Sequence, residues 1–90
     1  MEVKIYTRDN CNWCIKAKEL MNRLGMNYTE LNLGRDYTRE ELRQLVYGDL
    51  SMSMTPTLTV PQIFIDGHRV GGYEEFADYC DQCGMAADAG

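Results

Sequence analysis

Apolar and polar positions alternate through Val3-Lys4-Ile5-Tyr6-Thr7, a run rich in β-branched and aromatic residues, which predicts a first strand. Arg8-Asp9-Asn10 is turn chemistry, and the period then changes. From about Asn12 to Leu24, Cys14, Ala17, Leu20, Met21 and Leu24 recur at helical spacing, and Gly25 stands where a left-handed residue would stop the helix. Tyr28 to Leu33 reads as a second strand, with Glu30 and Asn32 marking a face that is less well covered. Thr38-Arg39-Glu40-Glu41 is a capping box, opening a helix that carries Leu42, Leu45 and Val46 and ends at Gly48. Leu50 to Thr57 has no clear period and reads as a connector. Pro61 to Ile65 is apolar enough for a buried strand, Asp66-Gly67 is a type I′ hairpin signal, and His68-Arg69-Val70 is the return strand. Gly71-Gly72 leads into a last helix from Glu74 to about Cys83.

The order is strand, helix, strand, helix, strand, strand, helix, with no internal repeat. A βαβ start implies a right-handed crossover between parallel strands, and the hairpin adds two antiparallel ones. The expected architecture is α/β, a mixed four-stranded sheet with three helices (βαβαββα). Ninety residues hold one domain, expected over 1–84, with 85–90 as a disordered C-terminal tail.

Composition narrows the function. No apolar run exceeds the length of Ile63-Phe64-Ile65, so no segment can span a bilayer. Glu2, Lys4, Arg8 and Asp9 break any secretory apolar stretch, and a cytoplasmic location is expected. The net charge is −5 and unevenly spread. Residues 1–45 carry eight basic and seven acidic side chains, whereas residues 46–90 carry Arg69 against seven acids. An acidic chain without a basic stripe is a poor match for a phosphate backbone, which argues against nucleic acid. The four cysteines form two Cys-x-x-Cys pairs, Cys11/Cys14 and Cys80/Cys83. Outside a secreted scaffold such cysteines are more often catalytic or metal-binding than structural.

Cys11 falls between a predicted strand and a predicted helix. Its sulfur would sit beside unpaired amides at the positive helix end, where thiolates titrate anywhere from about 3.5 to 7.5. Arg8, Lys16 and Lys18 would help and Asp9 would oppose. Cys14, one turn further in among apolar residues, would be more sheltered. An exposed attacking thiol with a sheltered resolving one is what thiol–disulfide exchange needs.

Other residues carry plainer readings. Pro61, on its own, reads as the start of a strand. Trp13, next to a reactive thiol, reads as a substrate contact, and His68 as a solvated turn residue. Met52 and Met54 read as packing. For Cys80 and Cys83 the expectation is packing near a helix end or thiols without a role. A second redox pair is the alternative, as is a zinc site joining all four cysteines.

Three stretches together resemble the glutaredoxin family over roughly residues 3–80. They are Ile5-Tyr6-Thr7-Arg8 leading into Cys11-Asn12-Trp13-Cys14, then Thr59-Val60-Pro61-Gln62-Ile63-Phe64-Ile65, then Val70-Gly71-Gly72-Tyr73-Glu74-Glu75. The resemblance implies a thioredoxin-like fold, glutathione as reductant and co-substrate, no metal, and reduction of protein disulfides and glutathione mixed disulfides. It makes Cys11 the nucleophile and Cys14 the resolving cysteine. It assigns a glutathione carboxylate to Arg8 and a groove wall to Trp13. Pro61 would be cis, turning the Val60 backbone towards the ligand, with Thr59 beside it. Gly72 with the amides near Tyr73 and Glu74 would hold the γ-glutamyl carboxylate, and Glu75, or else Glu74, the ammonium group. Asn12 replaces the family's usual proline, and Glu74-Glu75 the commoner aspartates. The chain is similar to short phage and bacterial dithiol members, and its length and its Thr-x-Pro-Gln and Gly-Gly-aromatic-acid patterns resemble the phage ones, which imply ribonucleotide reductase as a protein substrate. A monomer is expected. Two other readings compete: a redoxin recycled by thioredoxin reductase, which Arg8 and the Gly71–Glu75 run argue against, and a glutathione-ligated iron–sulfur cluster carrier, which Asn12 permits.

Overall fold

The computed structural model describes residues 1–48 and 58–84, so the connector Leu50–Thr57, with Met52 and Met54, and the tail 85–90 lie outside the described residues. Among the described residues the elements are β1 (Val3–Thr7), α1 (Asn12–Arg23), β2 (Thr29–Asn32), α2 (Arg39–Tyr47), β3 (Gln62–Ile65), β4 (His68–Gly71) and α3 (Tyr73–Gln82). Local chemistry closes each helix. At the end of α1, Gly25 takes φ +70°, its N–H bonds the Asn22 carbonyl at 3.1 Å, and the Met26 N–H bonds the Met21 carbonyl at 2.9 Å. That double bond is a Schellman closure, which satisfies the last carbonyls. At the start of α2 the Glu41 amide donates to the Thr38 hydroxyl at 3.1 Å and the Thr38 amide to the Glu41 carboxylate at 2.9 Å, the reciprocal box the sequence predicts.

The sheet order is β2-β1-β3-β4. β1 and β2 run parallel with Ile5 opposite Glu30, and β1 and β3 run antiparallel with Val3 opposite Ile65. β3 and β4 form the hairpin, in which Asp66 (φ 51°) and Gly67 (φ 82°) both lie in the left-handed region that a type I′ turn requires. The strand period sorts the core into two layers. Val3, Ile5, Ile63 and Ile65 face Ala17, Leu20 and Met21 of α1 and Phe76 and Cys80 of α3. On the other face Phe64 packs with Tyr37 and Leu42, and Tyr6 meets Tyr37 and Phe64 edge-on at 5.1 and 5.5 Å.

β2 is less well covered than β1 and β3, as expected: Thr29 is exposed and Glu30, Leu31 and Asn32 are half-buried, with Glu30 and Asn32 bonded to Thr7. One expectation changes. β4 extends through Gly71 and α3 begins at Tyr73, one residue earlier than predicted, because the Glu75 carboxylate reaches back to the Gly72 amide at 2.9 Å. That contact caps the helix without needing a side chain at Gly72. No helix among the described residues is long and apolar enough to cross a membrane.

Candidate active site

β1 ends at Thr7, and Asn10 in the left-handed conformation (φ 58°) turns the chain into Cys11. Cys11 is the N-cap of α1 (φ −112°, ψ 104°), and the Cys14 amide donates to its sulfur at 3.2 Å. A sulfur thus occupies the place of the oxygen that ordinarily caps a helix. The first turn of α1 carries no acidic residue, so nothing within it opposes negative charge drawn to the dipole's positive end. Cys11 and Cys14 are joined by a disulfide with their Cα atoms 5.2 Å apart. In this oxidised form Cys11 is 6% exposed and Cys14 2%, so the expected contrast of exposed and sheltered is slight in area. It survives in position: Cys11 lies at the cap, and Cys14 lies inside the helix with its own amide spent on Cys11.

Facing Cys11 is the Val60–Pro61 peptide, which is cis as the resemblance implies, and the Val60 carbonyl oxygen lies 3.7 Å from the Cys11 sulfur. The loop is held from behind by Gln62. Its side-chain amide donates to the Thr59 carbonyl at 2.8 Å, and its oxygen accepts from Arg69 of β4 at 3.0 Å. Around this loop the expected binding residues divide between two cavities. One, of about 210 Å³, is lined by Trp13, Thr59, Val60, Pro61, Gly72, Tyr73, Glu74 and Glu75. Arg8 is absent from it; with Tyr37 and Arg39 it lines a neighbouring cavity of about 320 Å³ that shares Thr59 and Val60. Trp13, 49% exposed, tilts against Tyr73 at 5.7 Å and carries the Lys16 ammonium 4.8 Å from its ring centre. One Glu75 oxygen already caps Gly72, and a Cβ on Gly71 (φ 127°) would fall within 2.8 Å of it. The oxygen that was expected to face a ligand's ammonium group is therefore also a structural cap.

A polar cluster behind the turn went unread in the sequence. The Thr7 hydroxyl donates to Glu30 at 2.7 Å, Lys18 donates to the same carboxylate oxygen at 3.0 Å, and the Asn32 amide donates to Thr7 at 3.3 Å. Burial alone would raise the Glu30 carboxyl, but Thr7 and Lys18 together outweigh it and hold the group below its ordinary value. Lys18 is thus committed to Glu30, and Lys16 to Trp13, where both had been expected to assist the thiolate. The Thr7 carbonyl accepts two further bonds, from the Leu33 amide at 2.9 Å and the Tyr37 hydroxyl at 2.7 Å. Burial pushes the Tyr37 phenol up. Tyr37 had no signal beyond its hydrophobic character, Gln62 stood only as part of the Thr59–Ile65 stretch that carries the resemblance, and Arg39 showed only as the interior of a capping box.

Cys80 is buried in the core cluster that also holds Val3, Ile5 and Phe76, and among the described residues no three cysteine, histidine, aspartate or glutamate side chains stand close enough to share a metal ion. The two cysteine pairs therefore do not meet. The described residues do not assemble the four-cysteine zinc site.

The arrangement is a redox-active disulfide at a helix N-cap, facing a cis-proline loop. Known proteins agree with it. The sequence model of the family described as glutaredoxin matches residues 3–70. Glutaredoxin 3 of Escherichia coli K12 is 35% identical over 74 residues, covering 81% of this chain and 78% of that protein. The hybrid peroxiredoxin hyPrx5 of Haemophilus influenzae is 32% identical over 77 residues, 86% of this chain, but the chain spans only 28% of its length. Among solved structures, reduced Escherichia coli glutaredoxin superposes with a TM-score of 0.73 at 31% identity, covering 91% of this chain and 95% of the other.

Proposed function

The chain belongs to the glutaredoxin family and is a thiol–disulfide oxidoreductase, and from that premise we propose that glutathione is its reductant and that Cys11 is the nucleophile. The observation that carries the reading is the capped sulfur of Cys11 facing the carbonyl of Val60, a residue that lines the Trp13–Glu75 cavity. With the pair reduced, the Cys11 thiolate attacks a substrate disulfide. One S–S bond breaks, a mixed disulfide forms on Cys11, and the leaving thiol takes a proton. Cys14 then attacks the Cys11 sulfur, which closes the intramolecular disulfide and releases the second thiol. Two glutathione molecules reopen it, the first forming a glutathione mixed disulfide on Cys11 and the second leaving as glutathione disulfide.

The two cavities suit the two ends of the tripeptide. Glutathione pairs through its backbone with Val60, as an added strand does. Its γ-glutamyl end lies in the cavity of Gly72, Tyr73 and Glu74, where helix-start amides meet a carboxylate. Glu75, with one oxygen on the Gly72 amide, draws the ammonium group. The glycyl carboxylate reaches Arg8 in the neighbouring cavity, where a guanidinium offers two parallel donors. Trp13 and Pro61 close the sides.

The test is turnover of a glutathione mixed disulfide with glutathione, glutathione reductase and NADPH. We expect Cys11→Ser to abolish it and Cys14→Ser to retain it, because a glutathione mixed disulfide needs no resolving thiol. On a protein disulfide both variants should fail. Turnover with thioredoxin reductase but not with glutathione would refute the reading. A coloured protein after anaerobic reconstitution with iron, sulfide and glutathione would favour cluster binding. A ribonucleotide reductase assay with this chain as sole dithiol donor tests the protein substrate that the resemblance implies.

A further inference from the structure

The second Cys-x-x-Cys has a geometry that mirrors the first. Cys83 is the C-cap of α3 (φ −88°, ψ 2°), and Cys80 lies three residues back inside the helix. In the first pair Cys11 is a cap and Cys14 lies three residues inside, and that spacing closes with Cα atoms 5.2 Å apart. Residues three apart on a helix share a face, and a disulfide tolerates Cα separations of about 4.4 to 6.8 Å. Cys83 is exposed, whereas Cys80 is 2% exposed and packed among Val3, Ile65 and Phe76. Cys83 foremost pushes the phenol of Tyr79, one turn back, up. Cys83 closes the last turn through its N–H to the Tyr79 carbonyl at 3.0 Å, and Gly84 beyond it is left-handed (φ 73°).

The geometry points to Cys80 and Cys83 as a second dithiol–disulfide site, which small disulfides of the glutathione type oxidise with Cys83 attacking and Cys80 resolving. Exposure assigns the order. The Cys83 thiolate attacks one sulfur of glutathione disulfide, whose S–S bond breaks as a Cys83–glutathione bond forms and one glutathione leaves with a proton. Cys80, once deprotonated, attacks the Cys83 sulfur; the Cys80–Cys83 bond forms and the second glutathione leaves. The protein loses two electrons and two protons, and one glutathione disulfide becomes two glutathiones. Burial foremost, then Cys83 and Asp81, push the Cys80 thiol up, so closure is the slower step. Cys80 and Cys83 lie seven and ten residues beyond Tyr73 of the groove, about 10 to 15 Å along the helix. A chain's own Cys11 cannot reach it, so the oxidant arrives from solution. The site needs no glutathione groove and stands apart from the function proposed above.

The experiment uses the full chain as Cys11→Ser/Cys14→Ser, so that only the second pair can react. It is equilibrated with glutathione and glutathione disulfide at stepped ratios, quenched in acid, denatured, alkylated and weighed. We expect both alkylatable thiols to disappear together with the loss of two hydrogens. Cys80→Ser added to this background should stop at one glutathionyl group on Cys83, and Cys83→Ser should leave Cys80 reduced at every ratio. Peptide mapping of the wild-type chain should find the same Cys80–Cys83 link. Cys80 still alkylated at every ratio, or a Cys83 adduct that persists beside a free Cys80, would overturn the proposal. Failure of the glutathione groove would instead appear as lost Cys11 turnover with this result unchanged.

Discussion

The two cysteine pairs share a spacing and a cap-plus-three geometry, yet they sit at helix ends of opposite polarity. At the start of α1 the Cys14 amide points at the Cys11 sulfur, and no carboxylate lies in the turn. At the end of α3 the outward groups are carbonyls, the last turn holds Asp81, and the inner cysteine is sunk in the core. The lesson is that Cys-x-x-Cys is not itself a chemistry. The helix end decides whether released negative charge meets N–H groups or C=O groups. The surroundings add a second difference, because Cys11 of the first pair faces a cis-proline loop whose residues line a cavity.

The sharpest way to break this comparison is to remove the outer cysteine of each pair. Cys11→Ser should cut turnover of a glutathione mixed disulfide by about 10³-fold or more, as loss of a nucleophile does. Cys83→Ser should change it by less than about twofold, since exposed positions away from a site are near neutral. Comparable losses in the same assay would mean that the pairs work as one. Arg8→Ala comes next. Removing a charge-assisted contact should raise the KM for the glutathione substrate about tenfold while kcat holds; an unchanged KM would detach the Arg8 cavity from the site.

Stability separates the inner and outer positions of the second pair. Under reducing conditions Cys80→Ser should cost about 2 kcal/mol in urea unfolding, because it puts a hydroxyl into the Val3–Ile65 core. Cys83→Ser should stay within about 0.5 kcal/mol. Equal midpoints would mean that Cys80 is not held as the fold indicates.

The smallest effect sharpens the first pair's surroundings. Glu30→Gln should cost about 1 kcal/mol at neutral pH, through weakened bonds to Thr7 and Lys18 at a partly exposed site. The Glu30 carboxyl is held below its ordinary value of 4.5. Its contribution is therefore complete above that value and is lost as pH falls through the folded one. Unfolding curves of wild type and variant should converge in acid, and a constant gap would remove Glu30 as the cause.

What could be read in the sequence was what neighbouring residues decide. The Thr38–Glu41 box, the Gly25 stop and the Asp66-Gly67 turn each depend on a few adjacent positions, and all three stand as predicted. Tyr73 was missed as a helix start because the cap comes from Glu75, three residues ahead, and not from a capping side chain at Gly72. The bonding of Glu30 went unread because its partners, Thr7 and Lys18, lie on another strand and on a helix. The same holds for the site. The first cavity is built from two stretches whose motifs are visible, whereas Tyr37 and Arg39 reach Arg8 only through the packing of α2 on the sheet.

The Thr7 carbonyl accepts both the Leu33 amide and the Tyr37 hydroxyl, so its two lone pairs are taken. It is the last fixed point of the strand before the turn that delivers Arg8 and Cys11. A strand end tied twice has little conformational entropy left to lose when a ligand arrives. The ordering cost of an encounter then falls mainly on the incoming molecule. Flexible, unstructured substrate segments meet a surface already at rest, and partners differ in how readily they themselves become still.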